Sequence, residues 1–147
     1  MFVVDGSRTF SIVAAEGKHI DFQLDGGSLI RLKNTTVKDS NGNLIGAKPK
    51  VTLTNIKATS TTAIIACAYD AKVDATIEIV GGEYTPSQTN SASHGSYGAL
   101  IHNFLDEAKG EYSKSGTSYV KHWDVKIDSA KVNAGIVYTR VTFLNAE

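Results

Sequence analysis

His94 and Ser96, in the run His94-Gly95-Ser96-Tyr97-Gly98, come closest in this chain to a catalytic pair. A serine near an imidazole suggests acyl transfer, with the histidine taking the hydroxyl proton as the oxygen attacks. The nucleophile elbow that delivers such a serine needs Gly-x-Ser-x-Gly between strand and helix, whereas the order here is Gly-Ser-Tyr-Gly. A small-residue turn that caps a helix explains the run without chemistry. His102 and Asp106 stand four residues apart and would share one helix face, but a zinc site needs three or four protein ligands. His19, His94 and His122 lie on other elements, so a solvated helix face is the expected role for His102 and Asp106.

The remaining candidates have local explanations as well. Asp39-Ser40-Asn41-Gly42-Asn43 has the oxygen spacing of a calcium loop but lacks the distal bidentate glutamate, and its Asn-Gly suits a tight turn. Cys67, the only cysteine, sits between Ala66 and Ala68, which predicts a buried, inert thiol and excludes an intrachain disulfide. Asn34-Thr35-Thr36 matches a glycosylation sequon, yet Met1 to Gly6 shows no export signal. Trp123 and Tyr119 could stack on a sugar ring, but they alternate in register with Val125 and Ile127, which places them in the core. Phosphate-binding glycine loops, dinucleotide fingerprints and Cys-x-x-Cys are missing. The expectation is no catalytic, cofactor-binding or metal-binding residue.

Composition narrows the class further. Fifteen basic residues balance fifteen acidic ones, and the longest basic cluster is Lys48-Pro49-Lys50, so nucleic-acid specificity is not expected. The most apolar run, Ala63 to Tyr69, is far shorter than the roughly 20 residues of a spanning helix. At 147 residues the chain reads as one domain, 1–147, that buries roughly 70% of its unfolded surface.

The elements that must position these residues are mostly short strands. Arg8 to Ala14 and His19 to Leu24 are separated by Ala15-Glu16-Gly17-Lys18, a turn that would pair them as a hairpin. Val37 to Ile45 reads as a hairpin with its tip at Asn41-Gly42. Thr62 to Tyr69 and Lys72 to Val80 would pair around Asp70-Ala71, with Val73, Ala75, Ile77 and Ile79 facing inward. Segment 81–96 reads as a long polar loop. From Tyr97 to Tyr112 the large apolar residues fall at Tyr97, Leu100, Ile101, Phe104, Leu105, Ala108 and Tyr112. Those spacings predict one helix over about 96–110, with Ser93 or Ser96 as cap. Ser118 to Asp128 and Val132 to Leu144 are the last strands, the second bending near Gly135. No internal repeat is visible.

The expected fold is therefore mainly β: an antiparallel β-sandwich or barrel with one α-helix packed on it. The expected function is a non-enzymatic structural subunit that self-assembles into a homo-oligomer and contacts neighbouring structural proteins. A virion component assembled in the host cytoplasm, of bacteriophage tail-tube, tail-tip or head-decoration type, is the first choice. The alternatives are a carbohydrate-binding β module and a small hydrolase.

Overall fold

The computed structural model describes residues 1–67, 71–86, 99–102, 112–114, 117–119, 123–137 and 140–147, with side chains left out for 112–119 and 135–141. Its strands are β1 (Phe2–Asp5), β2 (Thr9–Val13), β3 (Ile20–Leu24), β4 (Ile30–Lys33), β5 (Lys50–Thr54), β6 (Ile56–Ser60), β7 (Ile65–Cys67) and β8 (Thr76–Val80). The remainder are β9 (Glu83–Pro86), β10 (Ala99–His102), β11 (Tyr112–Lys114), β12 (Thr117–Tyr119), β13 (Asp124–Asp128), β14 (Lys131–Val132), β15 (Gly135–Val137) and β16 (Arg140–Leu144).

Successive strands do not pair with each other. They enter three different sheets in turn, and each pairs in parallel with the strand one circuit later. Sheet one runs β1-β4-β7-β10-β15, sheet two β2-β5-β8-β13-β16 and sheet three β3-β6-β9-β14. The chain is thus a parallel β-solenoid of five rungs, a coil with three faces and its core inside. β11 and β12 form a separate antiparallel pair inserted in the fourth rung.

This corrects the expected antiparallel sandwich. Alternation of apolar and polar residues reports which face of a strand is buried, and that period is the same in parallel and antiparallel sheets. Gly17 (φ 66°) and Gly27 (φ 75°) are corners that send the chain to the next sheet instead of back along the last one. The reading of Val37 to Ile45 survives, because that segment closes on itself: Lys38 bridges Leu44 in antiparallel fashion and Ile45 N–H donates to the Val37 carbonyl at 3.0 Å.

The expected helix is also corrected where it is described. Ala99 to His102 is strand β10, pairing with Ile65 and Ala66 on one side and with β15 on the other; 103–110 lies outside the described residues. All four residues of β10 are buried. A parallel strand covered on both faces carries a continuous apolar run, and Ala-Leu-Ile-His imitates part of a helical stripe for that reason. Of the loop read at 81–96, Glu83–Pro86 is strand β9 and 87–96 lies outside the described residues. The long last strand is three short ones, β14, β15 and β16.

Between sheets two and three the corner is sharp and repeated. Asn55 (φ 52°), Gly81 (φ 64°), Ser129 (φ 55°) and Asn145 (φ 51°) occupy the same place on successive rungs, each in the left-handed region. Their amides form a ladder: Asn55 N–H to Val80 O, Gly81 N–H to Asp128 O and Ser129 N–H to Leu144 O, at 2.7–2.9 Å. Glycine has no Cβ to clash in this region and the short polar side chain of asparagine can bond the local backbone, so these residues suit the corner.

Inside, side chains stack in columns set by the register. Ile12, Leu53, Ile79, Ile127 and Phe143 form one, and Phe2, Ile30, Ile65 and Ile101 another. The middle rungs are closed, with Leu53, Ile65, Ile79, Ile101 and Ile127 at 0% exposure. Removing so much aliphatic surface from water is the main stabilising contribution. Trp123 closes the corner ahead of β13, buried, its Nε1–H donating to the Val73 carbonyl at 2.8 Å.

Candidate functional site

The structure describes only some of the candidate chemical residues. His94, Ser96, Asp106 and His122 lie outside the described residues. His102, expected on a solvated face, is buried on β10 in the column of Arg31 and Ala66. His19 is half exposed, with Nε2 3.4 Å from Asp21. Cys67 faces the core at 1% exposure, its thiol 4.0 Å from the Ala71 carbonyl, which denies it the access a nucleophile needs. Among the described residues, no three histidine, cysteine or carboxylate side chains converge as a metal site.

Two polar motifs are absorbed by the fold. Asp39 Oδ1 accepts the Asn41 and Asn43 amides, both at 2.9 Å. The bond from the Asn43 amide holds its carboxyl below the usual aspartate range, against an opposing effect of desolvation and with further help from the Asn41 amide. Its lone pairs serve the turn. Asn34 of the sequon is 4% exposed; its amide donates to the Ile45 and Lys72 carbonyls, and its oxygen accepts the Val37 amide at 3.2 Å. Trp123 belongs to the core, which removes it as a sugar-stacking platform.

What the fold does bring together is an ordered array on its outer faces. On sheet two a shallow groove of about 360 Å³ is lined by Lys50, Thr76, Glu78, Asp124, Lys126 and Thr142. Glu78 is engaged there by Lys126 at 3.7 Å. Such a groove offers charges and hydroxyls to a polar chain lying across the strands.

On sheet three the register builds a charge ladder. Asp21 lies opposite Lys57, Lys57 opposite Glu83, and Glu83 opposite Lys131, with the last pair at 3.3 Å. Glu147 donates its amide to Ala130 O and accepts from Val132 N–H, which sets it beside Lys131 on the fifth rung. Sign alternates at every step, an arrangement in which each cross-strand neighbour is favourable.

That ladder exposes a repeat missed in the sequence. Val51-Thr-Leu-Thr-Asn-Ile-Lys57, Ile77-Glu-Ile-Val-Gly-Gly-Glu83, Val125-Lys-Ile-Asp-Ser-Ala-Lys131 and Val141-Thr-Phe-Leu-Asn-Ala-Glu147 share one pattern. It has two core residues, a left-handed corner and an outward charge. Segments of unequal length between β7 and β8, β9 and β10, and β10 and β13 separate the copies and conceal the period. Anchoring on Asn, Gly or Ser four residues after the first of two alternate apolar positions would have revealed it.

The two ends of the coil are its most unusual surfaces. Of the eight large apolar residues left exposed among the described ones, Met1, Phe2, Val3 and Val13 belong to the first rung and Phe143 and Leu144 to the last. Phe2 packs on Phe10 and Phe22, with ring centroids 5.2 and 6.1 Å away, but remains 39% exposed. Phe143 continues the column of Ile79 and Ile127, yet is 57% exposed.

No helix among the described residues is long and apolar enough to cross a membrane. No protein-family model matches this chain, and neither does any curated protein or solved structure.

Proposed function

We propose that this chain is a non-enzymatic structural module that works inside a larger assembly, with both ends of its solenoid covered by protein. One observation carries the reading: core columns running the length of the coil end in exposed aromatic rings, Phe2 at one end and Phe143 at the other. Among the described residues, β1, β2 and β3 at one end and β15 and β16 at the other also have no strand paired along their outer side. Exposed apolar surface next to open strand edges is a template for association. A virion component of tail or decoration type remains the setting we favour, because a rigid coil with open ends suits a particle built by stacking.

The test is the state of the protein in its source. Sedimentation of native extract should place it in a particle well above the mass of one chain. A free monomer in native extract, and in purified form at every concentration, would overturn the reading.

A further inference from the structure

The two ends of this solenoid fit each other. Resting on the structural reading above, we infer that the surface covering the first rung is the last rung of a second copy, stacked head to tail so that sheets one and two continue across the junction. β2 and β16 are both five residues long and are the opposite edges of sheet two. Carried one step past the molecule, the register sets β16 of one copy against β2 of the next.

Three positions of sheet two then meet their own kind. Leu144 lies against Val13, both exposed and both on the outer face; Phe143 lies against Ile12 on the inner face; Thr142 lies against Ser11. In sheet one, Ile136 holds the register position that leads to Phe2. An unrelated partner would have no reason to match apolar with apolar and hydroxyl with hydroxyl over Ser11, Ile12 and Val13; at the start of the strand Arg140 falls opposite Thr9. The charge ladder on sheet three supplies a like-charge contact, since it ends in Asp21 on one side and Glu147 on the other. The contact is heterologous, so without a closing rotation it yields a line of copies and not a closed dimer.

Single-cysteine variants test the register. Adjacent parallel strands are about 4.8 Å apart, within the roughly 4.4–6.8 Å Cα separation of a disulfide. Val13→Cys and Leu144→Cys alter exposed side chains, and native Cys67 is buried. Mixed and mildly oxidised, the two variants should give mainly the Val13→Cys/Leu144→Cys cross-linked pair, and the double variant a ladder of longer covalent multimers. Asp21→Asn, by relieving the like-charge contact, should raise the fraction of assembled protein at a given concentration. Cross-linking of like variants as readily as unlike ones, or no multimers from the double variant, would overturn the head-to-tail contact. If that happens while native extract still shows a particle, the end is covered by a different protein and only this inference fails. A monomer in both experiments removes both.

Discussion

Adding one methyl group at Gly82 should damage this fold far more than the same change at Gly17, although both glycines have positive φ. At Gly17 (φ 66°) a Cβ meets nothing within 4 Å, so the cost is backbone strain alone. Alanine in the left-handed region costs about 1–2 kcal/mol, and the stiffer unfolded chain returns about 0.4–1 kcal/mol of that. Gly17→Ala should therefore lose about 1 kcal/mol or less. At Gly82 (φ 90°) the added Cβ would lie 2.1 Å from the Ile56 carbonyl oxygen and 2.8 Å from its amide nitrogen. Those atoms belong to the neighbouring rung and cannot swing aside as a side chain can. Overpacking of this kind adds about 1–3 kcal/mol, so Gly82→Ala should lose about 2–4 kcal/mol. Gly81→Ala should fall between, because its Cβ meets the Asn55 side chain, 2.2 Å away at Oδ1, which has some freedom to turn. Urea unfolding followed by the fluorescence of Trp123, the one tryptophan, gives all three values on one scale. Equal losses at Gly17 and Gly82 would refute the close approach of rungs at this corner.

Other expectations follow from the same packing. Leu53→Ala, in the middle of a closed column, should cost about 2–5 kcal/mol in the same urea assay. Tyr84 is fully buried, its phenol pushed up by desolvation with a smaller opposing effect from the Ile56 backbone, and its hydroxyl has no hydrogen bond of ordinary geometry among the described residues. Tyr84→Phe should thus change stability by under about 1 kcal/mol; a loss above about 2 kcal/mol would show the hydroxyl to be bonded. A double-mutant cycle on Glu83 and Lys131 should give a coupling below about 1 kcal/mol that shrinks with salt, since both side chains are largely exposed. The Asp39 carboxyl is held below its unfolded value, so its support for the hairpin is full above about pH 4 and fades as pH falls through the folded value. The protection of the Asn41 and Asn43 amides, taken relative to the intrinsic exchange rate at each pH, should fall in acid, and Asp39→Asn should flatten that dependence.

Much of the burial was legible in the sequence, and almost none of the topology. Val73, Ala75, Ile77 and Ile79 face inward as alternation requires, as do Trp123, Val125 and Ile127, because that pattern depends only on one strand and one face. The hairpin at Val37 to Ile45 was legible because all its contacts are local. Direction of pairing was not, since the partner of Thr76 to Val80 is set by a corner at Gly81 and by Lys50 to Thr54 a full circuit earlier. β10 was misread as helix because it is buried on both faces, so its apolar residues do not alternate with polar ones. Of the candidate site, the turn roles of Asp39 and the core roles of Cys67 and Trp123 were readable. The open ends were not, because exposure of Phe2 and Phe143 is a property of the stack and not of either residue's neighbours.

The most direct test of the account is the solvent exposure of Phe2 and Phe143 in two states, by oxidative footprinting of the dilute purified chain and of the particle from its source. The account predicts that both rings are oxidised in the dilute chain and protected in the particle, while Leu53 and Ile79 are protected in both. Equal oxidation of Phe2 and Phe143 in the two states would mean that the ends of the solenoid are not its working surfaces.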